Sequence, residues 1–128
     1  GLHYQLPTFA QSKLIRVLKG KILDVAVDIR KGSPTYGKVF TQKLSAKNKK
    51  QLFIPAGFAH GFSVLSEKAE VLYKCDSFYN KETGAGIIYN DAELSIDWQI
   101  PAELAIVSEK DQSLPSLAQC NNSFVFGS

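Results

Sequence analysis

The sequence predicts an all-β domain, an antiparallel sandwich or barrel, and three observations lead to that prediction. Short segments rich in apolar and β-branched residues recur along the chain, and several alternate apolar with polar side chains. Turn residues separate these segments at a spacing of roughly 8–12 residues. No stretch before Pro101 shows the period of an amphipathic helix. Many short strands joined by turns are typical of antiparallel sandwiches and barrels.

Four predicted strands occupy the first half of the chain, and the second alternates most clearly. Its two faces carry Leu23, Val25, Val27 and Ile29 on one side and Ile22, Asp24, Ala26 and Asp28 on the other. Turn residues end the strands, and Pro55 stops the fourth. The strands are expected at 13–18, 22–30, 39–44 and 51–54.

The second half of the chain predicts a hairpin followed by less regular structure. Segments 60–65 and 69–79 form the two strands of the hairpin, around a turn at 66–68. A short strand is expected at 87–89, and Leu94, Ile96 and Trp98 alternate once more. Residues 102–110 are expected to form a short helix. Residues 112–128 are rich in Ser, Asn, Gln and Gly and are expected to form a loose tail of the single domain.

The composition fits one globular domain and excludes several classes of protein. Of 128 residues, 45% are hydrophobic and 21% are charged, which is ordinary for a chain that buries a core. The net charge of +3 would favour an anionic ligand such as a phosphate, but the chain lacks the basic stripe of a nucleic-acid-binding protein. No apolar run reaches about 18 residues, so no membrane span is expected.

The cysteine and methionine counts bear on compartment and processing. Cys75 and Cys120 form no CxxC motif and no Cys/His cluster, so the sequence gives no sign of a zinc site. A disulfide stays open, but reduced thiols in a cytoplasmic protein are the simpler interpretation. The chain contains no methionine, which favours a processed chain or a fragment.

Polar residues within the predicted strands are candidates for function. Asp24 is either a solvated charge or lines a barrel interior, where it would need a partner. Tyr73 and Tyr79 share a strand face and are either core aromatics or phenols offered to a cavity. Lys13 is by default a surface residue, and His60 is either a structural histidine at a turn or a catalytic one.

Metal binding is not predicted. His3 and His60 are the whole supply of histidine, and no His-X-His motif occurs. Two histidines and one aspartate suit a facial metal site, but without a paired-histidine motif none is expected here.

Long blocks of the chain resemble one family. They are GLHYQ at 1–5, KLIRVLKGKILDVAVDIRKGSPTYG at 13–37, QLFIPAGFAHGFSVLS at 51–66, LYK at 72–74 and SEKD at 108–111. In these blocks, their order and their spacing, the chain resembles the dTDP-4-dehydrorhamnose 3,5-epimerase family from Gly1 to about Leu117. The resemblance implies a cupin-like antiparallel barrel (a jelly roll) that forms a homodimer. It also implies a further section before Gly1, so the chain is expected to be a fragment.

The resemblance implies an activity and assigns residues to it. The activity is epimerisation at C3 and C5 of a dTDP-linked 4-keto-6-deoxy sugar in dTDP-L-rhamnose biosynthesis, without a cofactor. The implied catalytic residues are His3 as general base, Asp111 as its partner, Lys13 at the substrate carbonyl, Tyr73 as acid on the opposite sugar face and Asp24 in the same network. The implied substrate-binding residues are Gln5, His60, Tyr79 and Lys110. One departure is Phe78 before Tyr79, where relatives often carry two tyrosines.

Other functions stay open at this point. A 3-epimerase, a 5-epimerase or a 3,4-ketoisomerase could use the same barrel and the same groups. A non-catalytic barrel that binds sugar nucleotides is a further alternative, against which the intact set of His3, Lys13, Tyr73 and Asp111 argues.

Overall fold

The computed structural model describes residues 1–7, 10–77, 80–101 and 105–127. Within these residues, eight strands form two antiparallel sheets, which confirms the predicted all-β class. The strands are β1 (Leu2–Gln5), β2 (Lys13–Lys19), β3 (Lys21–Asp28), β4 (Val39–Ser45), β5 (Gln51–Ile54), β6 (Phe58–Val64), β7 (Glu70–Cys75) and β8 (Gly84–Ile87). A 3₁₀ turn at Lys81–Thr83 and a short helix, α1 (Glu109–Gln112), accompany them.

The strands divide between a large and a small sheet. The large sheet has the order β4-β3-β6-β1-β8, and the small sheet has the order β5-β2-β7. The chain passes between the sheets at Gly20, whose φ of +79° suits glycine. A side chain at Gly20 would meet the backbone oxygen of Lys68 at 2.0 Å, so the two crossings between sheets pack directly on each other.

The predicted hairpin of segments 60–65 and 69–79 is wrong in its pairing. β6 belongs to the large sheet and β7 to the small one, so the turn at 66–68 carries the chain across the domain. Local alternation marks each strand but does not tell which strand it pairs with, because pairing is decided by packing of the two sheets.

β3 lies between β4 and β6 in the large sheet and is buried on both faces. Ile22 and Ala26 pack between the two sheets with residues of β2 such as Ile15. On the other face, Val25 packs with Leu2 in a second cluster beneath the C-terminal segment. A strand covered on both sides explains why nearly every residue of β3 is buried, including its two aspartates.

The C-terminal segment differs from the expected loose tail because it covers that second face. Leu117 is buried there, and its backbone N–H donates to Asp91 Oδ2 at 2.7 Å. The Tyr4 hydroxyl donates to the backbone oxygen of Asn121 at 2.5 Å. Lys31 forms a parallel bridge with Val125. The C-terminal segment is polar overall, but a few apolar side chains are enough to anchor it.

Three other expectations for this half need correction. The short strand expected at 87–89 is β8 at Gly84–Ile87, so it ends where that prediction began. Leu94, Ile96 and Trp98 form no strand, although all three pack against the core. The short helix runs over Glu109–Gln112 instead of 102–110, and residues 102–104 of that prediction lie outside the described residues. Ser108 caps the helix, since its Oγ accepts from the backbone N–H of Asp111 at 3.1 Å. No helix among the described residues is long and apolar enough to cross a membrane.

Asp28 ties the end of β3 to the turn that follows it. Its fully buried carboxylate accepts hydrogen bonds from Arg30 Nε at 3.0 Å and Nη2 at 2.9 Å. The hydroxyls of Ser33 and Thr35 donate to it at 2.6 and 2.5 Å. Burial by itself raises the pKa of Asp28, but these hydrogen bonds outweigh burial and hold its pKa well below the usual range.

We expect Asp28→Asn to lower the free energy of unfolding by about 2 kcal/mol, because it removes the buried charge that accepts hydrogen bonds from Arg30, Ser33 and Thr35. The lowered pKa means that Asp28 stabilises the fold fully above its unfolded pKa of about 3.9 and loses this contribution as the pH falls further. Urea unfolding at pH 7 and pH 3 measures both effects. The exposed carboxylate variant Glu67→Gln is the control, and equal midpoints for the two variants would contradict the role of Asp28.

Candidate active site

The inner face of the large sheet presents two histidines as direct neighbours. His3 on β1 and His60 on β6 are cross-strand partners, and His60 is also the partner of Ala26 on β3. Directly paired residues point to the same face of a sheet, and so do residues two apart on one strand. Asp24, two residues from Ala26, therefore lies on this face with both histidines.

The inner face of the small sheet presents the groups that oppose them. Ile15 on β2 pairs with Tyr73 on β7, and Lys13 pairs with Cys75. Because Ile15 is fully buried between the sheets, Lys13 and Tyr73 share its inward face. The rings of Tyr73 and His60 meet edge to face, with centroids 6.3 Å apart. The strand pairing thus brings Lys13, Asp24, His60 and Tyr73 into one interior, with His3 beside them.

His3 and Asp111 form an imidazole–carboxylate pair at the edge of this interior. His3 Nε2 lies 3.1 Å from Asp111 Oδ1, and the Gly1 nitrogen donates to Asp111 Oδ2 at 3.0 Å. The cap at Ser108 begins α1 so that Asp111 reaches β1. Burial lowers the pKa of His3 below 6.5 while the Asp111 charge opposes that change. His3 is therefore neutral at pH 7, and its side chain is 46% exposed and accessible to a ligand.

Asp24 and His60 form a second imidazole–carboxylate pair, deeper than the first. Asp24 is fully buried, and its Oδ1 bonds to His60 Nε2. Of the two alternatives for Asp24, the structure shows the buried one, with His60 as the partner that burial requires. Asp24 Oδ2 has no hydrogen-bond partner among the described residues. His60 lies within β6 and is anchored by this carboxylate instead of by a turn.

Burial shifts the pKa values of Tyr73 and Lys13, both on the small sheet, in opposite directions. It raises the pKa of Tyr73 to about 12, and the charge of Asp24 contributes to the increase. It lowers the pKa of Lys13, while the charges of Cys75 and Asp24 oppose the decrease. Tyr73 is consequently a protonated phenol at neutral pH, able to donate a proton or a hydrogen bond.

A cavity of about 200 Å³ opens beside His3 and Lys13, and its lining does not include Tyr73, Asp24 or His60. Its walls include His3, Lys13, Gln5 and Lys110, together with Tyr4, Gln11, Gly84, Ala85 and Leu114. Gln5 is held in place by the 3₁₀ turn, since its Oε1 accepts from Thr83 Oγ1 at 2.9 Å. Two cationic side chains and two amides around a small cavity suit an anionic, oxygen-rich ligand.

The structure adds Phe62 to the side chains that the sequence predicted for the site. The structure does not describe Tyr79. The ring of Phe62 lies 6.3 Å from that of Tyr73 and 6.5 Å from that of His60, between centroids. Its position two residues after His60 on an alternating strand was the signal that could have found it. Tyr79, a predicted substrate contact, lies outside the described residues.

The chain is similar to known proteins of one family. A family model described as dTDP-4-dehydrorhamnose 3,5-epimerase matches residues 1–119. The enzyme of that name from Shigella flexneri is 53% identical over 111 residues, which cover 87% of this chain and 60% of the relative. The chain therefore spans about three fifths of the length of that relative.

Solved structures show the same fold. The crystal structure of dTDP-4-dehydrorhamnose 3,5-epimerase from Elizabethkingia anophelis is 54% identical with a TM-score of 0.89, covering 91% of this chain and 63% of that one. That of dTDP-6-deoxy-D-glucose-3,5-epimerase from Legionella pneumophila, in complex with dTDP-4-keto-L-rhamnose, is 48% identical with a TM-score of 0.88, covering 93% and 62%. These likenesses confirm the predicted cupin-like jelly roll. By sequence and by structure, the chain belongs to the dTDP-4-dehydrorhamnose 3,5-epimerase family.

Proposed function

We propose that this chain carries the reacting groups of an enzyme that epimerises C3 and C5 of a dTDP-linked 4-keto-6-deoxy hexose. The observation that carries the proposal is that His3, paired with Asp111, lines one cavity with Lys13, while Tyr73 from the facing sheet contacts His60, the cross-strand partner of His3. The Legionella relative, solved with dTDP-4-keto-L-rhamnose, supports this class of substrate. The product would serve dTDP-L-rhamnose biosynthesis.

The chemistry needs a base on one side of the sugar and an acid on the other. The hydrogens on C3 and C5 are acidic because the C4 ketone can accept the electron pair as an enolate. Inversion follows when a proton leaves one face and another returns to the opposite face. No net oxidation or reduction occurs, so these steps require no redox cofactor.

His3 is the proposed base, and Asp111 keeps it effective. Neutral imidazole accepts the carbon-bound proton, and the carboxylate on Nε2 fixes the tautomer that leaves Nδ1 free to do so. The same carboxylate stabilises the imidazolium that forms. A base in this position contributes roughly 10²–10⁴-fold to the rate.

Lys13 and Tyr73 are the proposed stabiliser and acid. The Lys13 ammonium placed at the C4 oxygen would stabilise the enolate where its negative charge develops. Tyr73, raised in pKa and held against His60, would return the proton from the opposite face. The Asp24–His60 pair orients Tyr73 and supplies a further polar contact for the sugar.

A homodimer remains part of this proposal. Apolar side chains on the outer face of the small sheet support it: Phe53 is 61% exposed and Leu72 is 43% exposed. Exposed apolar patches of this kind commonly mark contacts between subunits. Inversion at C3 or C5 alone is the second candidate, because the same base, stabiliser and acid would serve either position.

We expect His3→Asn to reduce exchange of the C3 and C5 hydrogens with solvent by at least about 100-fold, because the amide cannot accept the proton. The measurement is NMR of dTDP-4-keto-6-deoxyglucose incubated in D₂O, with circular dichroism to show that the variant folds. Label at only one carbon in the wild-type protein would identify a single-position epimerase. Near-normal exchange in the folded variant would contradict His3 as the base.

Tyr73→Phe should separate the two halves of the reaction. The variant keeps the ring that packs on His60 and Phe62 but loses the proton that inverts the carbon. We expect deuterium exchange to continue while inverted product falls by at least about tenfold relative to exchange. The ratio of labelled to inverted sugar measures this, and equal loss of both would count against a dedicated acid.

The pH profile tests the His3–Asp111 pair. Because burial lowers the pKa of His3, kcat/KM should fall in acid with an apparent pKa below 6.5, where the base becomes protonated. Asp111→Asn removes the charge that favours imidazolium, so this limb should move to lower pH, while the plateau drops at least about tenfold. Glu109→Gln, a neighbouring exposed charge on α1, is the control. A limb that stays in place in Asp111→Asn would show that His3 is not the titrating group.

A further inference from the structure

Phe62 is an aromatic side chain on the inner face of the large sheet to which the proposed mechanism assigns no role. It lies on β6 directly opposite Asp24 of β3 and two residues after His60, so it shares a face with both. Its ring centroid is 6.5 Å from that of His60 and 6.3 Å from that of Tyr73. Phe62 therefore connects a histidine of the large sheet with the proposed acid of the small sheet.

Tyr73 depends on ring contacts for its position. It lies on β7, an edge strand of the small sheet, and it is 42% exposed. Among the described residues, the structure shows no hydrogen bond to its hydroxyl. Its ring instead meets His60 at an interplanar angle of 79° and Phe62 at 43°. Aromatic rings prefer edge-to-face and offset contacts at such distances, so two rings at different angles restrict the rotation of Tyr73 more than one ring would.

Phe62 comes from a well-supported strand but does not belong to the sealed core. β6 pairs with β3 on one side and with β1 on the other, so its backbone is held on both sides. The side chain is 36% exposed, and neither core cluster of the described residues includes it. Its ring therefore contributes less to the folded state than a core residue would, and its contacts are made with residues of the candidate site.

We propose that Phe62 is a positioning residue that holds the Tyr73 phenol where it can return a proton to the substrate. This inference rests on the proposed function, because it concerns the residue assigned there as the acid. Phe62 acts through Tyr73 and needs no contact with the reacting carbon. The His60 ring supports Tyr73 from one direction, and the Phe62 ring supports it from another.

The position of Tyr73 decides on which face the enolate is reprotonated. After His3 has taken the proton, its imidazolium exchanges with solvent and can protonate the carbon on the original face, which restores the substrate with solvent hydrogen. Tyr73 can instead protonate the opposite face, which inverts the carbon and leaves a phenolate that recovers a proton from solvent. A displaced Tyr73 loses this competition without slowing the abstraction by His3. Solvent label then accumulates in sugar that is not inverted.

The test compares Phe62→Leu, Phe62→Tyr and Phe40→Leu with the wild type by NMR of dTDP-4-keto-6-deoxyglucose in D₂O. Phe62→Leu removes the ring, so we expect the ratio of inverted to labelled sugar to fall about tenfold while the exchange rate stays within about twofold of wild type. Phe62→Tyr keeps the ring and should retain the wild-type ratio. Phe40→Leu is the control and should also retain it, because Phe40 lies on the same face but its ring contacts Phe58.

A double variant separates positioning of Tyr73 from binding of the substrate. In Tyr73→Phe the proposed acid is already absent, so adding Phe62→Leu should change the ratio of inverted to labelled sugar no further. Loss of a substrate contact would instead raise KM and slow exchange in both backgrounds. The two explanations for an effect of Phe62→Leu therefore give different results in the double variant.

A measurement without substrate tests the ring contact itself. The NMR ring signals of Tyr73 in protein with isotope-labelled tyrosine are assigned by their loss in Tyr73→Phe. We expect these signals to shift in Phe62→Leu, because a neighbouring ring has been removed, and to stay in place in Phe40→Leu. Phe62→Met also lacks the ring and is measured alongside, so that a folded variant is available if Phe62→Leu does not fold.

The outcomes are separable from those of the proposed function. An unchanged ratio of inverted to labelled sugar in the ring-deleted variants, or a further fall of this ratio in the double variant, would overturn the inference. Ring signals of Tyr73 that do not move would also overturn it. A wild-type protein without turnover would contradict the proposed function instead, and the ring signals would still decide whether Phe62 holds Tyr73.

Discussion

The register of β1, β6 and β3 is the constraint on which the candidate site depends. It places His3 opposite His60 and sets His60 opposite Ala26, two residues from Asp24. Because side chains alternate between faces, a slip of one residue in either pairing would turn a histidine out of the interior. The apolar residues of β3 prevent such a slip, since both of its faces are buried and neither would tolerate exchange. The packing of the core thus fixes which side chains face the candidate site.

The two buried aspartates of β3 show how the same residue type serves two purposes. Asp28 accepts hydrogen bonds from Arg30, Ser33 and Thr35, so its charge is fully satisfied and closes a turn. Within the described ranges, only one oxygen of Asp24 has a hydrogen-bond partner, which is His60. A fully bonded carboxylate contributes to the fold, whereas a half-bonded one in a low-dielectric interior retains the capacity to act on neighbours and ligands. Along one strand, Asp28 thus stabilises the fold, whereas Asp24 belongs to the proposed site.

Much of the site followed from sequence blocks, but its geometry did not. The resemblance named His3, Lys13, Tyr73 and Asp111, and three of these lie on strands where parity indicates a face. The resemblance also implied that Asp111 is the partner of His3, but no strand parity could place it there, because it reaches His3 from a helix that begins at a capped serine far along the chain. Phe62 was missed, although its parity with His60 would have found it. The role of each residue remains part of the proposed function.

The sequence by itself determined the all-β class, most strand positions and the strand face that Asp24 shares with Ile22 and Ala26, because alternation and turn residues are local properties. Only the tertiary structure decided that β6 and β7 separate into different sheets, that residues after Gln112 cover the core, and that Asp24 is paired with His60. These outcomes depend on contacts between distant segments, whose energies no local pattern records. The physical reason is that burial and strand pairing are settled jointly by the whole chain.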